Sequence, residues 1–369
     1  MFNLQVKDAN SIAAIDSLDS KITYGELVTF CQSVKPSVEN RKLAFLFCHN
    51  SIETFLYYIA CLENGVVPVL LDAHLDSELA SKLLSTYSPQ YVIAPKNLNL
   101  PIQKKIVHSK GDYGIYETGE KSPILAKELA LLLSTSGSTG APKLVKLTYD
   151  NLTSNAQSII EYLNITKDER ALMNLPLNYS YGMSIVNSHI FAGATVLLTE
   201  SPVIQKEFWN FVRGQKATSM PGVPYTYEML KRLRFMRMEL PYLKTLTQAG
   251  GKLSEALQEE FASWAQNNNK RFIVMYGQTE ASPRIAYLPS EYSLQKIGYI
   301  GIPIPGGTIV LEDQNGNKID KPFTEGELVY YGKNVSPGYA CNSSDLDYTD
   351  ERHGVLHTGD LAIFDLLEL

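Results

Sequence analysis

A chain of 369 residues, 44% hydrophobic and 20% charged, has the balance of a globular protein with room for more than one compact unit. Its net charge of −6 and its scattered Lys and Arg exclude the electrostatic footprint of a nucleic-acid binder, and the basic stretch 231–237 reads as the solvated side of a helix. No apolar run approaches the roughly 18 residues of a membrane span, and the first residues lack the apolar core of a signal peptide, so a cytoplasmic protein without a membrane span is expected.

From position 43 onward, short apolar runs alternate with helix-like segments. Positions 43–47, 66–71 and 91–94 read as strands, with helices predicted over 52–64 and 77–86. The runs 129–133 and 144–148 read as two further strands. A helix is expected to begin near Asp150 and to end at Leu163. Beyond it come a strand at 195–198, a helix at 206–215 and a strand at 272–275. This alternation implies an α/β fold with mostly parallel sheets. After Gly298, turns rich in Gly and Pro separate brief strands at 308–312 and 326–331, which reads as a small, irregular β-rich subdomain over about 298–360. Cys31, Cys48, Cys61 and Cys341 show neither C-x-x-C spacing nor a His at ligand spacing; buried free thiols are expected.

The most informative stretch is Ser-Thr-Ser-Gly-Ser-Thr-Gly-Ala-Pro-Lys at 134–143. Backbone N–H groups, hydroxyls and one ammonium suit a polyphosphate. The Walker pattern does not apply, because the required second Gly falls on Pro142 and Lys143 is followed by Leu144. The dinucleotide fingerprint fails as well, since Gly137 and Gly140 are the only glycines of the run. Residues 144–147 alternate apolar and polar, so the setting is strand–loop–strand.

Positions 135–143 resemble the phosphate loop of the AMP-forming acyl-adenylate superfamily, which includes acyl- and aryl-CoA synthetases, peptide-synthetase adenylation domains and beetle luciferase. Companion segments follow in the family's order: Ile-Thr-Tyr-Gly-Glu-Leu at 22–27, Asn-Gly-Val-Val-Pro-Val-Leu-Leu-Asp at 64–72, and Gln-Ala-Gly-Gly-Lys-Leu at 248–253. Met-Tyr-Gly-Gln-Thr-Glu at 275–280, Gly-Glu-Leu-Val-Tyr-Tyr-Gly at 326–332 and His-Thr-Gly-Asp at 357–360 complete the set. The resemblance implies two α/β lobes with mostly parallel sheets plus a small distorted β-barrel-like subdomain, together forming a large adenylation domain over 1–365. In relatives, Thr-Gly-Asp is followed by a hinge and a mobile C-terminal domain carrying the Lys that stabilises the transition state. Here nine residues follow Asp360, so 366–369 reads as a truncated end, the small domain is expected to be absent, and this chain alone is expected to be weakly active or inactive.

The implied chemistry joins a carboxylate to the α-phosphate of ATP. Both reactants are anions, so charge neutralisation and alignment dominate. By resemblance, Thr135, Ser136, Gly137, Ser138, Thr139, Gly140 and Lys143 hold the β- and γ-phosphates. Tyr276 borders adenine, with Gly277 and Gln278 beside it, and Asp360 accepts from the ribose hydroxyls. Thr279 contacts the α-phosphate and Glu280 binds Mg²⁺, a cation that needs only one or two protein carboxylates when it bridges phosphates. Gly250, Gly251 and Lys252 line adenine and the acyl pocket. Thr279, Glu280 and Lys143 are the candidate catalytic groups.

On the acyl side, Asn178-Tyr179 occupies the place of an aromatic-His pair in many CoA ligases, so Tyr179 replaces the usual gating His. No Asp lies between Arg170 and Glu200, and a free amino acid would find no partner there for its ammonium. Tyr179, Tyr181, Gly182, Met183, Pro221, Tyr225, Gly250 and Met275 are expected to give an aromatic, mostly apolar pocket for a small carboxylic acid; a core role explains Tyr181 and Met183 equally well. The resemblance implies ATP or AMP, Mg²⁺ and CoA or an acyl-carrier protein as ligands. The alternatives are a non-catalytic nucleotide- or acyl-binding module and an amino-acid adenylation domain.

Overall fold

The computed structural model describes residues 1–99, 105–134, 143–347 and 350–366. Two large mixed sheets dominate it. In the first, eight strands run in the order Gly338–Ala340, Leu144–Thr148, Leu129–Ser134, Val67–Asp72, Leu43–Cys48, Tyr91–Pro95, Tyr113–Glu117, Lys105–Lys110. Its four strands from Leu129–Ser134 to Tyr91–Pro95 are parallel, and the pairs flanking them are antiparallel. Such central strands are covered on both faces, which is why Leu-Ala-Phe-Leu-Phe-Cys at 43–48 is apolar throughout and buried throughout.

The second sheet has nine strands in the order Ile302–Pro303, Arg284–Leu288, Arg271–Gly277, Thr245–Gln248, Ser219–Gly222, Arg170–Met173, Thr195–Leu198, Ile12–Asp16, Lys21–Thr23. From Arg271–Gly277 to Ile12–Asp16 the pairing is parallel. Between the two sheets lie the helices Tyr24–Val34, Ile52–Glu63, Tyr149–Leu163 and Ser180–Ala192, whose buried residues share one core with both. Helix Ser77–Tyr87 covers the outer face of the first sheet. Lys206–Gly214, Pro224–Arg232 and Glu255–Asn267 cover that of the second.

The sequence motifs explain several of these elements. Thr23 and Glu26, within the 22–27 segment, form a capping box that opens helix Tyr24–Val34. Thr148 and Asn151 do the same for Tyr149–Leu163, one residue before the predicted start. The runs on either side of the phosphate loop form an antiparallel pair, with Ser134 opposite Leu144, as strand–loop–strand requires. The loop residues Thr135, Ser136, Gly137, Ser138, Thr139 and Gly140 lie outside the described residues.

After Gly298 the chain builds a three-stranded antiparallel sheet from Gly307–Glu312, Gly326–Gly332 and Val355–Ala362. It also lends Ile302–Pro303 and Gly338–Ala340 to the two large sheets. Cys31, Cys48 and Cys61 are buried as expected, but Cys341 is exposed; it follows the last residue of an edge strand and faces solvent there.

Candidate functional site

The strand Arg271–Gly277 ends at a bulge: the register with Arg284–Leu288 shifts between Tyr276 and Gly277. Gly277 is required here by close approach. A Cβ on it would sit 1.9 Å from the carbonyl oxygen of Pro283, so the two chain segments could not cross with any other residue. A short 3₁₀ turn, Thr279–Ala281, then carries the chain back. As a result Tyr276, Gln278, Thr279 and Glu280 point into three adjoining clefts.

The first cleft, about 1000 Å³, is walled by Tyr276, Lys252, Gly298, Tyr299 and Asp360. Tyr276 donates its hydroxyl hydrogen bond to Asp360. Gln278 Nε2 reaches the same carboxylate at 3.1 Å and the Thr358 carbonyl at 2.9 Å. Burial, and then the bond to the Asp360 carboxylate, push the Tyr276 phenol well above its ordinary range, so it remains a neutral donor. Asp360 is held in turn by its own backbone: its N–H donates to Thr358 Oγ1 at 3.1 Å, and that hydroxyl donates to Leu328 O at 2.7 Å. One carboxylate is thereby fixed at the wall of a wide cleft with oxygen lone pairs to spare.

The second cleft, about 610 Å³, contains Gln278, Glu280, Tyr339, Arg352 and His357. The Tyr339 hydroxyl donates to Glu280 Oε1 at 2.5 Å. Lys143 Nζ lies 3.9 Å from the centroid of the Tyr339 ring, and the Arg352 guanidinium carbon lies 4.7 Å from it. Burial and the Glu280 contact raise the Tyr339 phenol pKa. Lys143, Arg352 and Glu280 thus gather around a single aromatic side chain, which holds the cations by cation–π attraction and the anion by a hydrogen bond.

The third cleft, about 320 Å³, is lined by Tyr179, Tyr181, Gly250, Thr279, Glu280 and Arg284, among others. Thr279 Oγ1 is 3.2 Å from Ser180 Oγ, at the start of helix Ser180–Ala192. Gly250 and Gly251 both have positive φ, +80° and +150°, and a Cβ on Gly250 would lie 2.4 Å from the Tyr179 hydroxyl. Gln248 Nε2 donates to Gly251 O at 2.8 Å and steadies that turn. Beyond Tyr181 and Arg284 lies a small cavity of about 30 Å³, lined by Pro221, Met275, Thr247 and His189 among others, with room for about one water molecule.

The sequence-predicted nucleotide residues among those described, Lys143, Gly250, Gly251, Lys252, Tyr276, Gly277, Gln278, Thr279 and Asp360, therefore converge, as does Glu280. The predicted acyl pocket needs correction. Tyr225 is 66% exposed and lines none of these clefts, because its position on helix Pro224–Arg232 turns it to solvent. Met183 is fully buried and also lines none of them. Gly182 has a packing role: a Cβ there would lie 2.2 Å from Pro176 O. Pro221 and Met275 line the small inner cavity rather than the cleft. The pocket is also less apolar than expected, since Arg284 stands in its wall. Tyr339, Arg352 and Arg284 were not anticipated; the one local signal was an Arg opening the otherwise apolar strand Arg-Ile-Ala-Tyr-Leu.

Comparison with known proteins adds the following. A family model described as "AMP-binding enzyme" matches residues 5–340. A feruloyl-CoA synthase from Amycolatopsis sp. is 30% identical over 245 residues, 66% of this chain and 48% of that protein. The 2-succinylbenzoate–CoA ligase of Bacillus licheniformis is 29% identical over 356 residues, 94% of this chain and 70% of that protein. The chain spans about half the length of the first of these. Among solved structures, the O-succinylbenzoate coenzyme A synthetase of Bacillus subtilis in complex with AMP superposes with a TM-score of 0.80 at 23% identity, over 98% of this chain and 75% of that one. VinN does so with a TM-score of 0.79 at 24% identity, over 97% of this chain and 93% of that one. These two likenesses are likenesses of fold.

Proposed function

The chain belongs to the AMP-binding enzyme family, and from that premise we propose that it activates a small carboxylic acid with ATP, forming an acyl-adenylate and releasing pyrophosphate. The observation that carries this reading is the meeting of three clefts at Tyr276–Glu280. A nucleoside, a polyphosphate and an acyl group need separate sites, yet adenylation requires them to touch at the α-phosphate. Tyr276 borders the first cleft, Gln278 and Glu280 border both the second and the third, and Thr279, between them in the chain, lines the third.

In this reading Tyr276 and Lys252 border adenine, and Asp360, held by Tyr276 and Gln278, receives the ribose hydroxyls. Lys143 and the 135–140 loop take the β- and γ-phosphates, with Arg352 adding a second cation on that side. The Thr279 hydroxyl, oriented by Ser180, donates to an α-phosphate oxygen as charge grows on it. Among the described residues no three His, Cys, Asp or Glu side chains converge as a metal cage. A divalent cation would therefore be held by Glu280 together with the nucleotide's own oxygens, the usual arrangement for Mg²⁺; when bound it supplies charge neutralisation between two anions. The attacking carboxylate lies in the third cleft, between Thr279 and Arg284.

We assign CoA as the acceptor of the acyl group, in keeping with the relatives named as CoA ligases. An α-amino acid substrate is disfavoured, since the charged group in the acyl cleft nearest Tyr181 is a guanidinium and would repel an ammonium. No helix among the described residues is long and apolar enough to cross a membrane. The test is acid-dependent exchange of labelled pyrophosphate into ATP over a panel of aryl, short-chain and dicarboxylic acids. Exchange with none of them, together with no ATP binding by calorimetry, refutes the reading.

A further inference from the structure

Arg284 is a buried cation without a carboxylate partner among the described residues. It is 3% exposed, its Nε has no hydrogen-bond partner, and among the described residues no carboxylate lies within 4.0 Å ion-pair distance of it. Its guanidinium carbon sits 4.3 Å from the Tyr181 ring centroid, and the Tyr162 hydroxyl faces the group. That hydroxyl already donates to Met275 Sδ at 3.1 Å, leaving only its lone pairs for Arg284. Tyr179 and Tyr181 are neutral phenols nearby, and the carboxylates that line the third cleft and the small inner cavity, Glu280 and Glu169, are engaged with Tyr339 and with Thr218 and Lys244 rather than with Arg284. A guanidinium stays protonated in any protein environment, and a buried cation without a counter-charge is costly. Cation–π attraction offsets only part of that cost.

The position is as informative as the charge. Tyr181 and Arg284 are the two residues shared by the cleft of about 320 Å³ and the inner cavity of about 30 Å³. Together they form the partition between the two, and so the floor of the acyl cleft. The same cleft is lined by Thr279 and Glu280, beside which the adenylation reading puts the reacting carboxylate. An acid whose reacting carboxylate meets Thr279 therefore has the Arg284 guanidinium within the same cleft.

We propose that Arg284 is a specificity residue that receives a second anionic group of the substrate, so that the acids activated here are small carboxylic acids carrying another carboxylate. This inference rests on the adenylation reading above. A planar guanidinium pairs well with a carboxylate, and the walls of Tyr179 and Tyr181 exclude water from the pair. The inner cavity is too small for an acyl chain, so long fatty acids are excluded by the same partition.

The experiment compares succinate and glutarate with butyrate and valerate, which match them in length, in pyrophosphate exchange by the unmodified chain. The expected result is a preference of at least tenfold for the diacids. Arg284→Met should reverse the preference, raising KM for the diacids far more than KM for ATP, and Arg284→Lys should restore part of it. Exchange confined to the monoacids overturns the assignment of Arg284 and leaves adenylation standing. Exchange with no acid, together with no ATP binding by calorimetry, overturns both; where ATP binds and exchange is too slow to read, calorimetric binding of the same acids makes the same comparison. Because the comparison of acids uses the unmodified chain, an unfolded variant cannot rescue the proposal.

Discussion

Asn334 has no place in any motif, yet it ties the catalytic turn to the rest of the fold. It is 3% exposed. Its Nδ2 donates to Ala281 O at 2.6 Å and to Arg284 O at 2.7 Å, and its Oδ1 accepts from Tyr330 Oη at 2.8 Å. Its own carbonyl accepts from Ser282 Oγ at 2.8 Å, and two residues on, Ser336 N donates to Glu280 O at 2.7 Å. Asn334→Ala removes the three side-chain bonds and deprives two carbonyls and one buried hydroxyl of one partner each. An unsatisfied buried group costs about 1–3 kcal/mol, and a water entering the vacated space would offset part of this. Taking the low end for each group gives a loss of about 3 kcal/mol. Urea unfolding at pH 7 measures it, and pyrophosphate exchange at saturating ATP should fall at least tenfold as the Thr279–Ala281 turn loses its side-chain tie at Ala281. Asn334→Asp keeps the shape but turns a donor into an oxygen facing two carbonyls. Protonation relieves that repulsion, so its folded-state pKa lies above the unfolded value and its stability falls as pH rises. The Asp variant should therefore be less stable than the Ala variant at pH 7, with the gap narrowing toward pH 5. A loss below about 0.5 kcal/mol for Asn334→Ala, within the range of ordinary surface substitutions, with full exchange, would refute the reasoning.

Three further outcomes are expected. Gly277→Ala places a Cβ 1.9 Å from Pro283 O and 3.2 Å from Arg284 Cα, so a strand crossing must open; the cost should be about 4 kcal/mol or more. Gly316→Ala, with φ +77° and nothing within 4 Å, should cost only about 1–2 kcal/mol, and equal unfolding midpoints for the two variants would count against the crossing. Asp360→Ala should weaken ATP binding by about 1.5–3 kcal/mol, the worth of hydrogen bonds to a charged group, and calorimetry that finds unchanged affinity removes Asp360 from the site. His189 is buried, with Nδ1 donating to Ile185 O at 2.8 Å, and burial lowers its pKa from 6.5 to about 4. The unfolded chain therefore binds the proton first, and stability is full above pH 6.5 and lost as pH falls toward 4. By pH 5 the loss is about 2 kcal/mol, and wild type should show that much more pH dependence than His189→Gln between pH 7.5 and 5.

Much of the scaffold was readable because local pattern and final environment agree. The apolar run at 43–47 is observed as Leu43–Cys48, the helix expected from Asp150 to Leu163 as Tyr149–Leu163, and the helix at 206–215 as Lys206–Gly214. The residues expected at the nucleotide come together in the fold because they sit at strand ends in short, ordered motifs. Arg352 and Tyr339 were not, since their meaning depends on pairing across the chain. Gly338–Ala340 lies beside Leu144–Thr148, with Tyr339 opposite Val145, and no window of sequence contains both. The acyl pocket failed for another reason. Helix Ser180–Ala192 is buried on every side from Ser180 to Ile190, so its periodicity cannot say which face looks into the cleft. Tyr181 and Met183 looked equivalent as sequence, and only the first reaches it.

The same geometry explains how one pentapeptide borders three clefts. Side chains of a regular strand alternate between two faces, so an uninterrupted strand could border two of the clefts and not the third. The bulge at Gly277 breaks the alternation after Tyr276, which has already committed its ring to the nucleoside cleft. Gln278 then crosses back to Asp360, Thr279 opens the acyl cleft, and the 3₁₀ turn swings Glu280 toward Tyr339 on the phosphate side. The glycine is required because the returning chain passes over it at Pro283, and that same crossing brings Arg284 into the wall of the third cleft. The residue that permits the crossing and the residue that the crossing delivers are therefore two consequences of one backbone path.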